Sequence, residues 1–194
     1  MRATNPYRRN VLRALERVVS PLAPVGSALD FGCGDGWFSR ALLERGLVRR
    51  IVPVDIRRRE QSLVEPVIYD GDRLPFADRS FELALAVDVL HHCPDPRASL
   101  LELSRCSGRY LLLKDHTYRS RLGRLALAIL DELGNRRFGV VSVGNYQRGW
   151  EWLPLIEEQG FAQETLLHPL TCESRPPISW FSHHLQFVGL WRRC

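Results

Sequence analysis

The most constraining stretch of the chain is Ala28-Leu29-Asp30-Phe31-Gly32-Cys33-Gly34-Asp35-Gly36, a short apolar run that carries an acid and then opens into glycines at alternate positions. Trp37-Phe38-Ser39-Arg40-Ala41-Leu42-Leu43 follows with helical spacing, and Gly46 stops it. The pattern predicts a strand over 28–31, a tight turn, and a helix N-terminus over 37–44. Glycines in such a turn have no Cβ, so backbone N–H groups at the head of the helix can come close to a ligand.

The same rhythm continues. Ile51-Val52-Pro53-Val54-Asp55 reads as a second buried strand, although Pro53 cannot donate to a ladder. Val67-Ile68-Tyr69 reads as a third, ending at Asp70, and Phe81 to Val87 as a fourth, apolar apart from Glu82. Asp95-Pro96 opens a helix with a capping acid and a first-turn proline; Leu100, Leu101 and Leu103 follow, and Gly108 ends it. Tyr110 to Leu113 is the fifth strand, and Val11, Leu12, Leu15, Val18, Val19 and Leu22 form a helix ahead of the first. Strands alternating with helices predict a doubly wound, mostly parallel α/β sheet with helices on both faces. Such sheets bind ligands outside the carboxyl ends of their strands, where the strand order reverses. Asp30, Asp55, Asp70, Asp88 and Asp115 fall at or just past predicted strand ends, which suits a site better than a core.

From His116 to about Arg148 the rhythm breaks. Leu122, Leu125, Ala126, Ile129, Leu130 and Leu133 predict an amphipathic helix stopped by Gly134-Asn135, followed by a loop with Val140-Val141 and Asn145-Tyr146. Trp150, Leu153 and Ile156 resume a helix that Pro154 bends or delays and Gly160 closes. Residues 161–167 and 185–191 read as two final strands, an antiparallel pair if their connection doubles back. Residues 1–194 are expected to form one domain, with 116–148 as a helical insert.

Composition narrows the function classes. Hydrophobic content of 45% and charged content of 25% are ordinary for a soluble globular protein, and no apolar run reaches membrane-spanning length. The N-terminus lacks the apolar stretch of a secretion signal, so a cytoplasmic location is expected. The net charge of +5 and pI near 9.2 come almost wholly from arginine, Lys114 being the only lysine. Arg49-Arg50 and Arg57-Arg58-Arg59 lack interleaved aromatics, so a solvated face is favoured over a nucleic-acid footprint. The five cysteines are scattered and form no C-x-x-C pair, which argues against a disulfide framework or a zinc knuckle. His91-His92-Cys93 suggests a metal cluster, but adjacent residues rarely point at one ion and no second half lies nearby in sequence. No metal is expected.

Four segments resemble the class I S-adenosylmethionine-dependent methyltransferases, particularly their small single-domain members of the type 11 group. Leu29-Asp30-Phe31-Gly32-Cys33-Gly34-Asp35-Gly36 is similar to the first motif and Pro53-Val54-Asp55-Ile56 to the second. Asp70-Gly71-Asp72-Arg73-Leu74-Pro75-Phe76 with Ser80-Phe81-Glu82 is similar to the third, and Val87-Asp88-Val89-Leu90-His91-His92 with Pro94-Asp95-Pro96 to the fourth. The match covers roughly residues 25–115 in the right order and spacing; Glu82 departs from the usual aspartate and is given no role. The resemblance implies a Rossmann-like sheet of seven strands with the last antiparallel. It also implies S-adenosylmethionine as cofactor, bound by Asp30, Gly32, Cys33, Gly34, Gly36, Asp55, Ile56, Asp70, Gly71 and Asp88. Asp55 would take both ribose hydroxyls, and Asp70 with the Gly71 N–H the adenine. Asp30 would orient the glycine turn and reach the ammonium through water, with Asp88 or its carbonyl near that same end.

Methyl transfer needs alignment and exclusion of water, and a general base only where the acceptor loses a proton early. His91 and His116 follow the fourth and fifth strands and are the base candidates, while His92 suits packing or capping. Tyr7 could fold over the cofactor, though a surface or core tyrosine is the better reading. The insert, with Tyr118, Phe138 and Tyr146, would cover a small or partly apolar acceptor bearing a hydroxyl, amine or carbon nucleophile. The alternatives are RNA methylation, suggested by the basic charge, and a cofactor-binding accessory protein without catalysis. A nicotinamide dehydrogenase would want Gly-x-Gly-x-x-Gly, and residue 37 is Trp.

Overall fold

The computed structural model describes residues 5–135, 144–173, 176 and 178–194. Asn5 caps helix α1 (Pro6–Val19) by accepting from the Tyr7 N–H at 3.0 Å, and Pro6 fills the first turn, where no donor is needed. Strand β1 (Ala28–Phe31) leads through the glycine turn into α2 (Trp37–Glu44), then β2 (Ile51–Asp55), β3 (Val67–Ile68) and β4 (Phe81–Val87). Helix α3 (Pro96–Cys106) is capped by Asp95, which accepts from the Ala98 N–H at 2.9 Å. After it come β5 (Ser107–Tyr118), α4 (Arg121–Asn135), β6 (Gln147–Arg148), α5 (Trp152–Glu158), β7 (Phe161–Leu167), α6 (Ile178–Ser182) and β8 (Gln186–Arg193).

The main sheet runs β3-β2-β1-β4-β5-β8-β7, with β6 alongside β5. All of its ladders are parallel except those of β8, which is antiparallel to both β5 and β7. The expected mostly parallel sheet and its late antiparallel strand are therefore present. Pro53 costs no ladder bond. The Ala28 and Cys33 amides bond the Arg50 and Val54 carbonyls, so alternate residues of β2 face β1, and Pro53 faces outward, where β3 begins only beside Val54. Pro154 likewise sits in the first turn of α5, which spares a hydrogen bond.

Strand alternation splits the core in two. Leu83, Leu85, Leu112, Val188 and Leu190 face one layer with α1 and α2, and Ala84, Ala86, Leu111, Leu113 and Trp191 face the other with α3 and α5. Strand β5 outruns the expected 110–113 because Lys114, Asp115 and Thr117 are buried strand residues. The segment that leaves the sheet therefore begins at Arg119, not at His116. Phe138, Val140 and Val141, expected in the loop after α4, lie outside the described residues.

Candidate active site

The strand order reverses between β1 and β4, so the glycine turn after β1 and Asp88 after β4 flank one crevice. Gly32, Gly34 and Gly36 all have left-handed backbone, with φ of 67°, 61° and 74°. They differ in why a side chain fails there. A Cβ on Gly32 would lie 2.4 Å from Val89, and one on Gly36 2.1 Å from Val64, so these two glycines serve packing. A Cβ on Gly34 would meet nothing within 4 Å, which leaves open space above a backbone that only glycine adopts readily. Cys33 is buried and its amide closes the turn onto the Val54 carbonyl at 3.0 Å.

Asp55, at the end of β2, accepts from the Gly34 N–H at 2.9 Å and stands beside that open space. Ile56 follows, 60% exposed, and a Cβ on Gly71 would touch its side chain at 3.7 Å. This gives an apolar wall next to the turn after β3. Asp70 is exposed there; the Asp72 and Arg73 amides donate to its Oδ1 at 3.0 and 3.3 Å and hold its carboxyl below the usual range. Asp30 points to the opposite layer, 2% exposed, and accepts the Ser39 hydroxyl of α2 at 2.5 Å. Burial, eased by Ser39 and reinforced by Asp55 and Asp35, pushes its carboxyl up to about 7. An acidic nucleoside site fits these groups. An open glycine backbone, a strand-end carboxylate and an apolar wall suit the methionyl part, the ribose and the adenine of S-adenosylmethionine.

On the far side of the crevice Asp88 takes left-handed backbone, φ 56°, and its amide donates to the Lys114 carbonyl at 2.8 Å. Its carboxylate accepts from the buried Lys114 ammonium and from the Tyr7 hydroxyl, the latter at 2.8 Å. Lys114 also donates to Tyr7 and lies 4.9 Å over its ring. Tyr7 is thus half-buried and ties α1 to Asp88 and Lys114 at the site. Sequence patterning does not flag Lys114 as a site residue, because a lysine reads as surface. Arg8, one residue on from Tyr7, ion-pairs with Asp35 of the glycine turn at 2.7 Å.

His91 and His116 do come together, with ring centroids 4.8 Å apart. Asp115 links them through one oxygen and holds the turn after β4 through the other. Oδ1 meets His91 Nδ1 at 2.6 Å and the His116 amide at 2.7 Å, and Oδ2 accepts from the Leu90 N–H at 3.1 Å. His91 is 1% exposed and packed by His92, His116 and Tyr146. His116 keeps an exposed edge. Burial and then the Lys114 charge push its imidazole down, toward the neutral form. Asp131 of α4 and Tyr146 complete the cluster, and no local pattern could have linked them to residues on β4 and β5.

A Rossmann-like sheet with an acid-lined crevice at its switch point defines an α/β fold of the ligand-binding kind. The family model described as a methyltransferase domain matches residues 2–166, and the chain belongs to this family, the class I S-adenosylmethionine-dependent methyltransferases. A curated relative, a malonyl-[acyl-carrier protein] O-methyltransferase from Serratia marcescens, is 32% identical over 89 residues, 42% of this chain and 34% of the relative. The alignment therefore spans about a third of that protein's length. A protein described as a candidate methyltransferase from Bacillus halodurans C-125 superposes with a TM-score of 0.66 at 18% identity, covering 94% of this chain and 98% of its own. A geranyl diphosphate methyltransferase bound to geranyl diphosphate and sinefungin gives 0.71 at 14% identity, covering 95% of this chain and 77% of its own. At those identities the structures speak for the fold alone.

Proposed function

We propose that this chain transfers a methyl group from S-adenosylmethionine to a small-molecule oxygen, nitrogen or carbon nucleophile. The observation that carries the reading is Gly34, open and left-handed, hydrogen-bonded to Asp55 at the sheet's reversal point. S-adenosylmethionine, when bound, supplies a methyl group already activated by its sulfonium. Asp55 would accept from the ribose hydroxyls, and Ile56, Asp70 and Gly71 would hold the adenine. The Gly32–Gly36 turn with Cys33 would cradle the methionyl part, with Asp30 orienting the turn and Asp88 or its carbonyl near the ammonium. Lys114 and Tyr7 fix Asp88 in place. His116 is the group we place beside the acceptor, because it alone of the two candidate bases keeps an exposed edge. Helix α4, which follows β5, would cover the acceptor and exclude water. The name of the Serratia marcescens relative supports oxygen among the possible acceptor atoms.

Calorimetry with S-adenosylhomocysteine tests the cofactor half of the reading. The native protein should bind it, and Asp55→Ala should weaken binding about 10- to 100-fold, the worth of charge-assisted hydrogen bonds to two hydroxyls. Equal affinity in both proteins would overturn the ribose assignment. For the acceptor, transfer of labelled methyl into a cell extract should mark the small-metabolite fraction. Label confined to RNA or protein would refute that class.

A further inference from the structure

We propose that the outer face of α4 docks on an anionic lipid bilayer, with the helix lying along the surface. The helix turns two faces to different surroundings. Inward, Leu127 is buried against Tyr146 and Leu185, and the Tyr146 hydroxyl donates to Asp131 at 2.9 Å. A Cβ on Gly123 would touch Leu185 at 3.4 Å, which places Gly123 on this same side. Outward, Leu122, Leu125 and Ile129 recur at helical spacing and are 77%, 57% and 52% exposed. A single exposed leucine is ordinary, but three on one stripe make an apolar ridge.

Charge decides what covers the ridge. Arg119, Arg121, Arg124 and Arg148 are all exposed and line one shallow recess with Tyr118 and Ser120. A second recess joins Arg121 and Arg124 to Leu125 and Ala128. From Thr117 to Leu130 the chain carries no acid. Among the described residues none of the four guanidiniums pairs with a carboxylate, whereas those of Arg8, Arg40, Arg45 and Arg105 do. Arg119, Arg121 and Arg124 stand at the N-terminal end of α4, where the helix dipole disfavours positive charge and the first turn has no acid. Phosphate groups meeting these arginines would offset that cost.

A bilayer with acidic headgroups supplies both requirements together, phosphates for the arginines and acyl chains for the leucines. At 15 residues α4 is shorter than the roughly 20 that cross a bilayer, so it lies along the surface. A second copy of the chain would set arginines against arginines across a twofold axis, and the net charge of +5 adds to that repulsion. A free phosphate would fill the recess but leave Leu122, Leu125 and Ile129 in water.

Co-sedimentation of the full chain with vesicles tests the surface. Phosphatidylcholine vesicles with about one-third phosphatidylglycerol should bind it roughly tenfold more tightly than phosphatidylcholine alone, and raised salt should weaken the binding. Arg121→Gln and Arg124→Gln should each weaken it about fivefold, and Leu125→Ser about tenfold. Arg49→Gln combined with Arg50→Gln removes charge just before β2, at the opposite end of the sheet from α4, and should change little. Circular dichroism should show the variants folded. If Leu125→Ser is not, Leu122→Ser, at the most exposed of the three positions, takes its place with the same expected loss. No preference for the anionic vesicles, an equal loss in the Arg49 and Arg50 pair, or full binding by the folded leucine variant would each overturn the proposal. So would release of the protein by inorganic pyrophosphate at matched ionic strength, which assigns the arginines to a free phosphate. Equal affinity for polyglutamate would assign the face to an acidic protein, and dimerisation abolished by Leu125→Ser would assign it to a second copy. Vesicle binding is read without cofactor or turnover, so its failure leaves the methyltransferase reading standing.

Discussion

An aspartate in the middle of a strand, facing a hydrophobic layer, has to give up either its charge or its burial. Asp30 keeps its burial, and its carboxyl is pushed up to about 7, chiefly by desolvation. An unfolded aspartate titrates near 3.9, so between roughly pH 4 and 7 the native state holds a proton that the unfolded state has lost. Unfolding free energy therefore falls as pH rises through that window. The penalty is absent below it and complete above it, growing by about 1.4 kcal/mol per pH unit to roughly 4 kcal/mol. Asp30→Asn keeps an acceptor for Ser39 and removes the titration. Urea unfolding should show the variant and parent differing by a constant amount near pH 4, with the variant gaining as pH rises toward 8; a difference that is flat with pH would refute the assignment. Asp30 and the glycines were legible because one short run carries them, and Asp55 because it ends the next strand. Which glycine faces a ligand was not legible, since Val89 and Val64, which crowd Gly32 and Gly36, come from loops far along the chain.

At the scale of elements, β5 is where local patterning and structure part. Apolar alternation ends at Leu113, yet the strand continues through Lys114, Asp115, His116 and Thr117 because β4, β8 and, at Thr117, β6 pair with it and partners bury its polar groups. A lysine is read as solvated unless its carboxylate is known, and Asp88 lies on another strand's exit. Helices with capping signals fared better: Asp95-Pro96 opens α3 where its chemistry requires. The Lys114–Asp88 pair between the ends of β4 and β5 should behave as a buried ion pair with one partly exposed partner. Asp88→Asn strands the fully buried ammonium and should cost about 3–5 kcal/mol in urea unfolding. Lys114→Met should cost less, because Asp88 retains the Tyr7 hydroxyl and some solvent. The double variant should recover most of the loss of Asp88→Asn, giving a coupling energy of about 1 kcal/mol or more. Additive losses would mean that the pair does not interact energetically.

Over the whole molecule, the sheet separates two tasks. β1, β2 and β3 end in the proposed cofactor side, whereas β7 and β8 extend the opposite edge and carry none of its residues. Ligand binding should then leave two superimposed signatures in hydrogen exchange. Binding to the native state alone stabilises every amide that exchanges through global unfolding by a common factor, about 100-fold at a ligand concentration 100 times Kd. Amides that exchange by local opening escape that factor unless the ligand covers them or ties their segment down. S-adenosylhomocysteine should therefore add local protection at the turn after β1, residues 32–36, and at the turn after β3, residues 70–73, where Gly34 and Gly71 have open or lightly covered backbone. The amides of β7 and β8 should show the common factor and no more. Local excess at β7, β8 or α6 instead, or none at the two turns despite measured binding, would put the cofactor elsewhere. The crevice at the reversal of strand order would then lose its role.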